Sequence, residues 1–166
     1  MQAEQARFLL NFYLPLIKNE IATNIRVLSA IPEEQREYKP DDKARSAISL
    51  AWHIAAVDHW FLESIAKGEF GMDAEPPAGD RTVADIVAWY EEQMPVGLAK
   101  LEALSDEELL RELNFFGIET KPAVFFLAYL TAHTIHHRGQ LSAYLRPMGG
   151  KVPSIYGGSA DEPMEM

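Results

Sequence analysis

The sequence predicts an all-α fold, a four-helix bundle, and three observations predict it. Four long segments repeat apolar residues at three- and four-residue spacing. No segment shows the strict apolar–polar alternation of a half-buried strand. The chain has 166 residues with 48% apolar content, enough to bury one full core without disulfides. No internal repeat or composition break divides it, so residues 1–166 read as a single domain.

The first helix is expected over about residues 4–30. Phe8, Phe12, Leu16, Ile17 and Ile21 form its apolar stripe, with Pro15 as a kink or a true start. A polar linker follows, and Ser46 or Asp42 caps a second helix over about residues 47–67. Leu50, His53, Val57, Trp60 and Phe61 share its apolar face, and Gly68 stops it. Gly71, Pro76, Pro77 and Gly79 mark residues 68–81 as a loop. Thr82 and Asp85 form a capping box for a third helix over about residues 82–104. Val83, Ile86, Val87, Tyr90 and Met94 face inward there, and Pro95 and Gly97 are expected to bend or break it. Ser105 and Glu108 make a second capping box, which starts a short helix. Pro122 suits the first turn of a last long helix over about residues 122–146, with Phe126, Leu130, His133, His137, Leu141 and Tyr144 on one stripe. The tail, residues 147–166, is rich in Gly and Pro and turns acidic.

Composition narrows the function. A net charge of -10 with scattered Lys and Arg opposes binding to a phosphate backbone, so no nucleic-acid partner is expected. No apolar run reaches the ~18–20 residues of a membrane span, so no membrane partner is expected. The N-terminal segment carries Glu4 where a signal peptide is basic, and Asn11 and Pro15 break its apolar run; a cytoplasmic location is expected. The absence of cysteine excludes a disulfide, a thiolate metal site and a cysteine nucleophile within the chain.

The five histidines fall on two helices only: His53 and His59 on the second, His133, His136 and His137 on the last. His133 and His137 are four residues apart, which puts their Cβ atoms ~5–6 Å apart on one helix face. Two imidazoles so placed can converge on a metal at ~2.0–2.1 Å. His53 lies in the apolar stripe of the second helix, and facing helices of a bundle build metal sites from such inward residues. Burying imidazoles without partners is costly, and a divalent ion removes that cost by taking their lone pairs. His53, His133 and His137 are therefore the candidate metal ligands. His59 falls round the helix and reads as surface, and His136 reads as solvated or as lining the mouth. No Glu follows His133, which argues against a metallopeptidase.

The string His133-Thr-Ile-His136-His137-Arg138-Gly139-Gln140-Leu141 resembles the signature of the DinB/YfiT-like superfamily. So does Leu50-Ala-Trp52-His53-Ile54 with Asp58, Trp60 and Phe61, and the tail Val152-Pro153-Ser154-Ile155-Tyr156-Gly157 is similar to the segment after the last helix in that family. The resemblance spans nearly the whole chain. It implies a bundle whose three-histidine site takes one ligand from the second helix and two from the last: His53, His133 and His137. It also implies a nickel, zinc or iron ion, a homodimer, and in some branches a low-molecular-weight thiol cosubstrate.

Three neutral imidazoles leave an ion with an open position, as in catalytic rather than closed sites. The expected function is a metal-dependent S-transferase or hydrolase acting on a small-molecule substrate. Tyr129, His136 and Gln140 are candidates to orient substrate or ligands. Two alternatives stand open: a non-enzymatic metal-binding stress-response protein, and a metal-free bundle with hydrogen-bonded core histidines. Trp89 and Phe70 are candidate interface aromatics. The residues do not distinguish zinc, nickel and iron, because imidazole suits all three.

Overall fold

The computed structural model of the chain describes residues 1–72 and 81–164. Four long helices carry the architecture: α1 (Ala3–Ser29), α2 (Ala47–Lys67), α3 (Val83–Glu102) and α5 (Phe126–Leu145). A short α4 (Asp106–Leu110) and a hairpin of β1 (Glu112–Phe115) and β2 (Glu119–Pro122) lie between α3 and α5. The fold is the expected all-α bundle with one small two-stranded addition.

The helix ends follow their capping chemistry. Ser46 Oγ accepts from Ser49 N and starts α2, so Ser46 rather than Asp42 is the cap. Thr82 with Asp85 and Ser105 with Glu108 form the two reciprocal boxes that open α3 and α4. Gly68, at a φ of 86°, takes the left-handed turn that ends α2. The loop expected over residues 68–81 is seen only at its ends, since 73–80 lie outside the described residues.

Four expectations are corrected. Phe8, Phe12 and Leu16 are exposed, while Ile17 of the expected stripe is buried, together with Ala6, Leu10, Val27 and Leu28. Both stripes obey helical spacing, so periodicity alone does not say which faces the core. Helix α1 starts at Ala3, so Pro15 is not its true start, and α3 is not broken at Pro95 or Gly97. Gly97 is a packing residue: a Cβ there would stand 2.7 Å from Leu62 Cδ1 and 2.9 Å from Leu62 Cβ. The last long helix begins at Phe126, after a 3-10 turn over Ala123–Phe125. Finally, strands occur where none was expected. They are joined by the three residues 116–118; Phe116 and Gly117 have φ of 52° and 74° and Ile118 N donates to Phe115 O at 2.9 Å, the positive pair of a type I′ turn. Phe in place of the usual Asn hides this turn from the sequence.

The described part of the tail docks on the bundle. Arg26 pairs with Glu162 and Arg146 with Asp161, while the Tyr156 hydroxyl reaches the buried Arg138–Glu20 pair. Trp89 packs on Trp52 at 4.9 Å and Phe70 on Phe126 at 4.7 Å. Among the described residues no helix is long and apolar enough to cross a membrane.

The α2–α3 contact at Gly97 yields a test. Gly97→Ala forces the two helices apart or displaces Leu62, so it lowers stability by about 1–3 kcal/mol in urea unfolding despite alanine's better helix propensity. An unchanged or raised midpoint would show that the contact is slack.

Candidate metal centre

Helices α2 and α5 run in opposite directions along one another. His53 meets His137, and five residues further along α2 Asp58 meets His133 and Thr134. The face they share is half-buried and carries His53, Val57 and Trp60 from α2 and Tyr129, His133, His137 and Gln140 from α5.

The three histidines chosen from the sequence come together there. His53 Nε2 lies 3.3 Å from His137 Nε2 and 3.2 Å from His133 Nε2. One nitrogen from each of the three lies within 4.8 Å of the others, so the group could hold a metal ion. Three nitrogens at ~2.0–2.1 Å from a tetrahedral ion stand about 3.3 Å apart, which is close to these separations. The donor set is neutral imidazole only, which suits zinc, nickel or iron.

Each ring is held differently at its far nitrogen. His133 Nδ1 lies 3.4 Å from Asp58 Oδ1. His137 Nδ1 lies 3.1 Å from Gln140 Oε1, and Gln140 Nε2 donates to Tyr144 Oη at 3.3 Å. Among the described residues nothing bonds His53 Nδ1. Burial lowers the His53 pKa from 6.5 to about 4, helped by the neighbouring His133, His137 and Arg45. Burial also lowers that of His137. Protons therefore leave these rings readily, and neutral imidazole is the form that ligates.

The other candidates are placed as follows. His136 is exposed, with its ring 4.7 Å from that of His137, at the rim of the group. The Tyr129 hydroxyl donates to Glu119 of the hairpin and not to a histidine. His59 is half-buried against Trp89 at 5.2 Å and faces Glu63, away from the group. Beyond His133 the wall is aromatic. Phe61 lies 6.1 Å from His133 and 6.4 Å from Phe115, and Trp60 stacks on Phe116 at 6.0 Å.

Sequence reasoning noted Asp58 within the second-helix string but gave it no role. It is 1% exposed, a carboxylate inside the apolar run from Leu50 to Phe61. Its Oδ2 accepts from Asn24 Nδ2 at 3.1 Å and Tyr90 Oη at 2.8 Å, and its Oδ1 accepts from the Thr134 hydroxyl. Burial and the Asp58 charge push the Tyr90 phenol well above its ordinary 10, so it remains a donor. Behind this group Arg138 donates to Glu20 and, at 3.3 Å, to Asn24 Oδ1. An acidic residue five places after His53, among Ala, Val and Trp, was the available signal.

A sequence model of the DinB family matches residues 10–165. The chain belongs to the DinB family. Among curated proteins, this DinB-family chain is 31% identical to YjoA of Bacillus subtilis over 137 residues, 80% of this chain and 82% of YjoA. It is 26% identical to YrdA of the same organism over 157 residues, 92% of this chain and 91% of YrdA. The crystal structure of the DinB-like YjoA matches with a TM-score of 0.68 and 26% identity, covering 86% of this chain and 92% of that one. A DinB-like protein from Bacillus cereus ATCC 10987 matches with a TM-score of 0.75 at 23% identity, over 87% and 95% of the two chains, and shows the shared fold.

The depressed His53 and His137 values make the metal-free protein acid-sensitive. Below about 6.5 the unfolded chain takes up protons that the folded site refuses, so stability is full above that pH and falls towards pH 4. Thermal melts of metal-free protein from pH 8 to 4.5 should show this loss, and His53→Ala should flatten part of the slope. Identical slopes in the two proteins would mean that other groups carry it.

Proposed function

We propose that this DinB-family protein binds one divalent ion, zinc, nickel or iron, through Nε2 of His53, His133 and His137. On this reading it acts as a metal-dependent enzyme on a small molecule. The observation that carries the reading is the convergence of three Nε2 atoms, at 3.2 and 3.3 Å along two edges, on a face that is only half-buried. A closed structural site would be sealed by a fourth protein ligand, and no Cys, Asp or Glu joins this group among the described residues. Held by His53, His133 and His137, a divalent ion would supply Lewis acidity and would lower the pKa of a water or thiol bound to it.

The chain's own residues supply the rest. His53, His133 and His137 hold the ion. Gln140 orients His137 through Nδ1, with Tyr144 fixing the amide. His136, at the rim, is within reach of a substrate bound beside His137. Phe61, Trp60 and Phe115 make an apolar wall beside His133 that keeps water from that side. These features suit attack by an activated thiol or water on a small electrophile: S-transfer with a low-molecular-weight thiol, or hydrolysis.

Elemental analysis of untagged protein, purified without added metal, tests the ligand set. Near-stoichiometric metal is expected. His53→Ala, His133→Ala and His137→Ala each lose most of it, while His59→Ala retains it. Equal loss from all four would point to general unfolding, and no metal in the native protein or on reconstitution would remove the reading. Chelation should leave the helical circular-dichroism signal nearly intact, because the core is complete without the site. Thiol-transfer and ester-hydrolysis assays on the loaded protein then separate the enzyme from a non-catalytic metal-binding protein.

A further inference from the structure

Asp58 is more than a knot in the core. We infer that it is the positioning residue of the three-histidine site: its carboxylate holds His133 with the proton on Nδ1, which leaves the Nε2 lone pair facing His53 and His137. This rests on the metal-binding reading above and assigns a further residue to it.

The argument begins with what a buried carboxylate can do. An ionised carboxylate only accepts hydrogen bonds. Asp58 takes two donors on Oδ2, from Asn24 and Tyr90, and on Oδ1 it takes Thr134 and faces His133 Nδ1 at 3.4 Å. These donors come from α1, α3 and α5, so the carboxylate cannot turn away without breaking bonds to three other helices. A neutral imidazole has one N–H. When Nδ1 donates to Asp58, Nε2 is bare and can ligate.

The three ligands are then unequal. His133 is oriented by a charged acceptor that is itself locked. His137 is oriented by the neutral Gln140 amide, on a half-buried residue held by one further bond, to Tyr144. His53 has no partner at Nδ1 among the described residues. His133 is thus the fixed point on which the site assembles, and the other two rings adjust to it. The negative charge of Asp58 beside His133 also favours a divalent cation over an empty site, and a carboxylate makes the imidazole a more basic ligand.

Two measurements test this. Long-range proton–nitrogen spectra of metal-free protein at pH 8 report the His133 tautomer without any substitution. The Nδ1–H form is expected, and the Nε2–H form would overturn the assignment. Zinc affinity by competition with a chromophoric chelator gives the second readout. Asp58→Asn, which keeps the shape and removes the charge, weakens zinc binding by about 10–100-fold. Gly97→Ala, which disturbs the α2–α3 contact at Leu62 and touches neither Asp58 nor a histidine, lowers the melting temperature and leaves zinc affinity near that of the native protein. Native affinity in folded Asp58→Asn, or affinity lost in step with stability in both variants, would reduce Asp58 to a structural role. Failure of the native protein to bind zinc, nickel or iron would instead overturn the metal reading as a whole, and this role with it.

Discussion

A carboxylate out of reach of water must be given its hydrogen bonds by the fold, and Asp58 receives them from three helices besides its own. Asn24 of α1, Tyr90 of α3 and Thr134 of α5 all donate to it, while His133 closes the set. An unpaired charge at 1% exposure would cost several kcal/mol, so each donor constrains where its helix sits along the bundle axis. Apolar packing alone tolerates sliding by a fraction of a turn, because one methyl serves much like another. A set of directed bonds to two oxygen atoms does not. The bundle's register and the orientation of one of the three clustered histidines therefore rest on the same four-way contact.

A second buried charge stands behind the first. Arg138, fully buried, donates to Glu20, and the Tyr156 hydroxyl of the tail completes that pair. Asn24 bridges the two groups, since its oxygen accepts from Arg138 and its amide donates to Asp58. The polar interior is thus continuous from the docked tail to His133. Beside His133 the aromatic cluster of Phe61, Trp60 and Phe115 supplies an apolar side, with Phe115 carried by the hairpin. Burial works on His53 and His137 in the same direction as ligation would, because it disfavours their charged form.

Much of this was legible in the chain. The long helices, both capping boxes, the Ser46 cap and the Gly68 stop follow from local chemistry, in which each residue answers to neighbours three or four places away. The histidines could be grouped because His133 and His137 share a helix face, and His53 lies on the inward-leaning face of another helix. The hairpin was illegible because Phe116 stands before Gly117 where Asn or Asp usually marks the turn, and the strands are four residues each. Gly97 looked like a helix breaker because the signal for a breaker and for a close helix contact is the same missing side chain.

What the sequence determined by itself is therefore local: which stretches are helical, where they start and stop, and which histidines share a face. It also excluded any chemistry that needs a cysteine. Tertiary structure alone decided which of two apolar stripes of α1 is buried, since Phe8 and Leu10 both obey the helical period and only packing against α3 and α5 selects between them. It decided that Asp58, Asn24, Tyr90 and Thr134 meet, because residues 34, 32 and 76 positions apart carry no spacing signal. And it decided that three imidazoles converge through Nε2, because the direction of a ring depends on what its other nitrogen touches across the bundle.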